Sequence, residues 1–173
     1  GKHLTRFACV RYGNVLGSRG SVIPFFLEKA KSGSIPITDE RMTRFWLTIE
    51  QGVQFVLDSL ERMHGGEIFV PKIPSFKVTD VARVVCPGVP THIIGIRPGE
   101  KLHEVMIAED DSYNTVESED YYAVLSPTLK ASGIYDSKSI SVDEGFRFSS
   151  DNNKFWHTDE TFLTTLKNSG ILK

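Results

Sequence analysis

Cysteine is nearly absent from the chain. Cys9 and Cys86 stand far apart with no paired spacing, so no disulfide framework is expected, and the cytoplasm is the expected compartment. The five histidines (His3, His64, His92, His103, His157) show no ligand spacing among themselves or with the cysteines, so no metal site is expected. No apolar run is long enough to span a membrane, and the start does not read as a signal peptide. A dominant charge is also lacking. Residues 1–50 carry eight Lys/Arg against four Asp/Glu, residues 51–100 five against five, and residues 101–173 seven against thirteen. A mildly basic front suits a small anionic ligand. A nucleic-acid duplex wants a dense basic stripe, so no nucleic-acid partner is expected.

Several catalytic signatures are missing. There is no G-x-S-x-G, no G-x-x-x-x-G-K-[ST] and no G-x-G-x-x-G. An NAD(P) reductase or dehydratase usually pairs a tyrosine with a lysine four residues on. Four residues after Tyr12, Tyr113, Tyr121, Tyr122 and Tyr135 stand Leu16, Glu117, Leu125, Ser126 and Ser139. No catalytic residue is therefore assigned. The chain reads as a ligand-gripping half without a reactive centre, and its Gly-Lys-His start suggests a fragment.

The hydrophobic patterning is that of a globular α/β protein, with 40% apolar and 24% charged residues. Leu4–Tyr12 reads as a buried strand running into the glycine-rich loop 13–21, whose amides and Arg19 make a possible anion site. Val22–Lys31 reads as a helix with Pro24 in its first turn, stopped by Gly33 and Pro36. Ile35–Asp39 is a short extended piece. Thr48-Ile49-Glu50-Gln51 is a capping box, followed by Ile49, Val53, Val56, Leu60 and Met63 at helical spacing, a stripe expected to be core. Glu67–Pro71 reads as a strand, Val78–Val85 as a helix, and His92–Ile96 as a strand. This alternation predicts an α/β protein with a largely parallel sheet. Six acids and no base over residues 109–120 read as a solvated, mobile loop. Residues 129–151 read as irregular, apart from a possible short strand before them at Tyr121–Leu125. Thr158 caps a last helix holding Phe162, Leu163 and Leu166.

Ile94–Val105, IGIRPGEKLHEV, is the most suggestive stretch. Pro98 and Gly99 force a turn, and Glu100 is expected near the start of an amphipathic helix containing Leu102, Val105 and Met106. Arg97 suits a bidentate grip on phosphate or carboxylate; an Arg97–Glu100 surface ion pair explains the spacing equally well. Arg44, beside Phe45 and Trp46, has the same two readings: an anion partner or a solvated side chain.

RYGNVLGSRGSVIPFF, IPITDERMTRFWLT, GGEIFVPKIPS and GIRPGEKLHEVMI, with the tail 145–153 and Trp156, resemble the C-terminal half of the inverting UDP-N-acetylglucosamine 4,6-dehydratases. These are extended short-chain dehydrogenase/reductases of bacterial pseudaminic acid synthesis. The resemblance implies the last Rossmann strands interleaved with a nucleotide-sugar-binding subdomain over residues 1–128, and an irregular extension with a final helix over 129–173. It implies NADP beside Tyr12, Gly13, Asn14 and Val15, with Asn14 also touching a UDP-sugar. The helix from Val22, together with Thr38, would wall the uridine; Arg44, Arg97 and Glu100 would hold the diphosphate and ribose. The family reaction removes hydride from the sugar C4, eliminates water across C5 and C6, and returns hydride to C6 with inversion at C5. The glycine-rich loop and catalytic groups of that family lie in an N-terminal half absent from this sequence. The isolated chain is therefore expected to be inactive, to have an open sheet edge, and in its full-length form to assemble as a homo-oligomer.

Overall fold

The computed structural model describes residues 5–18, 20–135 and 139–172. Leu4, at the start of the expected first strand, and Arg19, in the expected anion loop, lie outside the described residues. In chain order the elements are β1 (Cys9–Val10), β2 (Asn14–Val15), α1 (Val22–Ala30), β3 (Ile35–Ile37), β4 (Thr43–Leu47), α2 (Ile49–Arg62), β5 (Ile68–Pro71) and β6 (Ser75–Lys77). There follow α3 (Val78–Val85), β7 (Thr91–Ile93), β8 (Val105–Ile107), a 3₁₀ turn (Glu109–Asn114), β9 (Thr115–Glu117) and β10 (Tyr121–Val124). The chain ends with α4 (Pro127–Ala131), β11 (Ile140–Ser141), β12 (Phe148–Ser149) and α5 (Asp159–Asn168).

The α/β class holds, with the sheet divided into small pieces. β1–β5, β2–β4 and β3–β7 are parallel, whereas β10, β9 and β11 extend the largest sheet antiparallel, and β4–β6 and β8–β12 are antiparallel pairs. Two compact units emerge. One comprises Gly1–Tyr12, Glu50–Lys72 and Val105–Ser149; the other comprises Gly13–Ile49, Ile73–Glu104 and Ser150–Lys173.

In the first unit the strand order is β1-β5-β10-β9-β11. Its core gathers Phe69, Val116, Ala123, Leu125 and Tyr135, with Phe55 of α2 and Met63 just past its end packed on it. The Glu67 carboxylate is buried and accepts from the amides of His64 at 2.5 Å and Gly65 at 2.8 Å and from the Tyr135 hydroxyl at 3.1 Å. It thereby satisfies the end of α2 and the turn into β5. Burial, then the Glu67 charge, raises the Tyr135 hydroxyl well above the ordinary phenol range. Lys72 pairs with Glu117 at 2.6 Å and lies over the Tyr122 ring.

In the second unit Trp46, Phe76 and Phe162 form an aromatic centre, joined by Ile23 and Phe26 of α1, Val81 of α3 and Leu166 of α5. Full burial of each such side chain stabilises by roughly 1.5–3 kcal/mol. Asn153 ties the tail to the start of β6, its amide donating to the Ile73 carbonyl at 2.8 Å and its carbonyl accepting from the Phe155 amide at 3.1 Å. Thr158 caps α5, as its sequence predicts, accepting from the Thr161 amide.

Four expectations are corrected. The segment after Glu100 is not a helix: Val105–Ile107 is strand β8, because the carbonyls of Lys101 and Leu102 that a helix would use are taken by Arg44, and that of Leu102 also by the Thr43 amide. Most of the apolar stripe expected as core is exposed: Ile49, Val53, Val56 and Leu60 are 56%, 52%, 42% and 64% exposed, whereas Met63 packs against the Phe69 core. The first strand is short and open, with Phe7 77% exposed. The acidic stretch is ordered, since Thr115–Glu117 pairs with both β10 and β11 and Ser112 and Thr115 anchor the preceding turn.

Candidate functional site

The second unit contains a cleft of about 280 Å³. That is close to the small end of ligand pockets, the size of a nucleoside rather than a whole dinucleotide. Three structural features build it. α1, with Ser21 as its N-cap, turns Val22 and Phe25, three residues apart on one helical face, toward the cleft. The parallel pair β3–β7 aligns Ile37 with Ile93, and the Ile94 amide donates to the Ile37 carbonyl at 2.8 Å. This register sets Thr38 and Ile94 on the lining.

The third feature is the turn Arg97–Glu100. The Glu100 amide donates to the Arg97 carbonyl at 3.0 Å, and the Glu100 carboxylate accepts from the Arg97 amide at 2.9 Å. Gly99 takes φ +86°, which a residue with a Cβ rarely adopts. The Arg97–Glu100 ion pair, one of the two readings of the spacing, is thus replaced by a backbone cap. It leaves the Arg97 guanidinium without an ion-pair or hydrogen-bond partner among the described residues, and it leaves Glu100 with acceptor capacity to spare. The result is an apolar slot with a free cation and a carboxylate on its rim. That combination accommodates a flat base, an anionic group and a hydroxyl together.

Four residues expected to bind substrate therefore meet on one cleft: Val22, Thr38, Arg97 and Glu100. Phe25, Ile37 and Ile94 join them, and the i, i+3 spacing of Phe25 from Val22 was the available signal for the first. Arg44 is not on the lining. Its side chain is 15% exposed, and it donates to the carbonyls of Thr43 at 2.7 Å, Leu102 at 3.0 Å and Lys101 at 2.8 Å, with Glu104 at 3.6 Å from Nε. Burial pushes its guanidinium pKa down while the Glu104 charge opposes this. Just past Thr38, Arg41 forks onto Asp39 at 2.9 and 2.8 Å and, with its own amide, draws that carboxyl down to about 2. Sequence reading did not single out this pair.

The residues expected to meet NADP are placed as follows. Tyr12 is 40% exposed at the end of a stretch of the first unit. In the second unit, Asn14 and Val15 pair in parallel with Trp46 and Leu47. Gly13 is pressed against β4, where an added Cβ would stand 2.4 Å from the Phe45 Cβ and 2.7 Å from the Phe45 carbonyl oxygen. Close approach at Gly13 is therefore made by the chain's own strand. The Asn14 Oδ1 is a buried acceptor with no hydrogen-bond partner among the described residues, so it fits a donor from a bound group such as a carboxamide or ribose hydroxyl. Neither Asn14 nor its three neighbours line the cleft. Among the described residues no cluster of His, Cys, Asp and Glu has the arrangement of a metal site, and no helix is long and apolar enough to cross a membrane.

The chain is 50% identical to the UDP-N-acetylglucosamine 4,6-dehydratase (inverting) of Campylobacter jejuni subsp. jejuni serotype O:2, over 98% of its own length and 53% of that protein. It is 37% identical to the UDP-glucose 4-epimerase of Rickettsia conorii, over 67% of its length and 36% of that enzyme. The solved structure of Pen from Bacillus thuringiensis superposes with a TM-score of 0.83 at 30% identity, covering 96% of this chain and 51% of that one. This likeness agrees with the C-terminal part of an extended short-chain dehydrogenase/reductase. The chain spans about half the length of its dehydratase relative and corresponds to the C-terminal half. With residues 1–126 matching the family described as Polysaccharide biosynthesis protein, the chain belongs to that family.

Proposed function

We propose that this chain is the substrate-holding half of an NADP-dependent UDP-N-acetylglucosamine 4,6-dehydratase that inverts C5 and yields a 4-keto-6-deoxy UDP-sugar for surface glycans or flagellin glycosylation. The observation that carries the reading is the meeting of Val22, Thr38, Arg97 and Glu100 on one cleft with apolar walls. Val22 and Phe25 pack the uracil, and Thr38 offers it a hydroxyl. Arg97 grips the diphosphate with its free fork, and Glu100 accepts from a ribose hydroxyl. Arg44, with its donors on three carbonyls, holds the bend that follows Arg97 and Glu100. Asn14 supplies an acceptor to NADP, with Tyr12, Gly13 and Val15 as its backbone neighbours. NADP supplies the hydride chemistry when bound. The acid, the base and the glycine-rich loop come from the N-terminal half, and the complete enzyme is a cytoplasmic homo-oligomer acting as a lyase.

The test is calorimetric titration of this chain with UDP and with uridine. UDP is expected to bind, and Arg97→Ala to weaken it about 10–100-fold, the equivalent of one charge-assisted hydrogen bond, while uridine binding stays unchanged. No UDP binding, or equal affinities for the variant, would end the reading. NADP-dependent dehydration by the chain alone would refute its assignment as an inactive half.

The UDP-glucose 4-epimerase and capsular polysaccharide names among the relatives favour a second reading, a related UDP-sugar epimerase or capsule-sugar dehydratase. NMR of the sugar product at C4, C5 and C6 from the full-length protein separates these from the first. A non-catalytic UDP-sugar-binding module would bind without turnover.

A further inference from the structure

The turn Arg97–Glu100 closes on itself and is moored to its unit on either side. Before it, the Ile94 amide donates to the Ile37 carbonyl. After it comes a bend at Leu102–His103, where Arg44 takes the carbonyls of Lys101 and Leu102. A further mooring of the bend does not involve Arg44 and runs through two side-chain hydroxyls. His103 Nδ1 stands 2.8 Å from Thr43 Oγ1, which stands 2.7 Å from Ser150 Oγ. Ser150 Oγ also accepts from the Glu104 amide at 2.9 Å and donates to the Thr43 carbonyl at 3.0 Å. Thr43 is 3% exposed and Ser150 0%, so both hydroxyls depend on these partners.

The donors of this cluster follow from its acceptors. A carbonyl only accepts, so the single Ser150 proton goes to the Thr43 carbonyl. Ser150 Oγ therefore meets Thr43 Oγ1 as an acceptor and takes the single Thr43 proton. Only lone pairs are left on Thr43 Oγ1, so the proton between it and the ring belongs to His103. Any other assignment leaves one of these short contacts with no proton in it. The neutral ring is thereby fixed with hydrogen on Nδ1 and none on Nε2.

We propose that His103, in its Nδ1–H form, is a positioning residue of the cleft. It hangs the bend from the buried Thr43–Ser150 hydroxyl pair and so fixes where Arg97 and Glu100 stand on the rim. His103 itself is not on the cleft lining, so it acts on a ligand through the turn that precedes it. Its part in ligand binding rests on the UDP reading of the cleft, whereas the tether does not.

The test combines nitrogen NMR of the His103 ring, amide exchange over residues 97–104 and calorimetric titration with UDP. It is run on this chain and on His103→Asn, His103→Gln and His103→Leu. The amide nitrogen of Asn falls where Nδ1 stands, and that of Gln where Nε2 stands. The wild-type ring at alkaline pH is expected to carry its hydrogen on Nδ1, a readout that needs no variant. His103→Asn should keep slow exchange and UDP affinity close to the wild type. His103→Gln and His103→Leu should speed exchange and weaken UDP about 3–10-fold, the equivalent of one hydrogen bond. Hydrogen on Nε2 of the wild-type ring overturns the proposal, as does equal behaviour of the Asn and Gln variants. UDP affinity that falls while exchange stays slow also overturns it, since the ring then touches the ligand directly. A wild-type chain that does not bind UDP ends the UDP reading, and the ring hydrogen and the exchange still decide the tether.

Discussion

The Arg44 guanidinium donates to the Leu102 carbonyl at 3.0 Å and so ties β4 to the bend that follows Arg97 and Glu100. The same nitrogen donates to the Thr43 carbonyl, and its neighbour to that of Lys101. Lysine cannot copy this fork, because it presents a point charge on a flexible stem. Arg44→Lys is expected to destabilise the chain by about 1–3 kcal/mol, and Arg44→Met by somewhat more. Amide exchange across residues 97–104 should accelerate in both. UDP affinity should fall with the loss of order. If affinity falls while exchange stays slow, Arg44 touches the ligand directly.

Glu67→Gln keeps the shape of a buried side chain but replaces one acceptor oxygen with a donor facing the His64 or Gly65 amide. The expected cost is about 1–3 kcal/mol, read as a lowered urea midpoint with unchanged slope. Tyr135→Phe removes only one of three donors and should cost about 1 kcal/mol.

Gly13→Ala tests close packing rather than cofactor approach. Its Cβ would meet the Phe45 backbone, which cannot swing aside as a side chain can. Overpacking of this kind costs about 1–3 kcal/mol. Thermal melting should show the loss without any cofactor present. An unchanged melting temperature would mean that β2 and β4 separate easily.

His157 gives a pH dependence of known sign. Burial among Phe76 and Phe162 lowers its pKa from 6.5, so the fold prefers the neutral ring. A depressed folded pKa means that the unfolded chain binds more protons as the pH drops below about 6.5. The contribution is complete above that value and is lost as the pH falls toward the folded pKa. His157→Leu should therefore flatten the fall in melting temperature between pH 7.5 and 5.5. An identical fall in the variant would assign it to other groups.

Local patterning was legible where one short segment decides its own form. Helix α1 with Pro24 in its first turn, the α3 stripe of Val78, Val81, Ala82 and Val85, and the Thr158 cap all follow from spacing and cap chemistry. Strand β4 was less legible, because Thr43–Leu47 mixes charge and aromatics and becomes a strand through partners at Asn14 and Ser75–Lys77. The segment after Glu100 misled for the same reason. Its apolar spacing fits a helix, but Arg44 and Thr43, distant in sequence, take up its carbonyls.

By itself the sequence determined the α/β class, the positions of the principal helices, and the candidates Val22, Thr38, Arg97 and Glu100. The class and the helices depend on nearest-neighbour geometry, and Arg97 on residue chemistry that travels with the side chain, whereas Val22 and Thr38 entered only through the family resemblance. Tertiary structure decided which candidates share a cleft and which act as fasteners, because a guanidinium serves whichever acceptors the fold brings within about 3 Å. It also decided that most of the α2 stripe faces solvent. Helical periodicity reports that a face is apolar, and only packing reports what covers it.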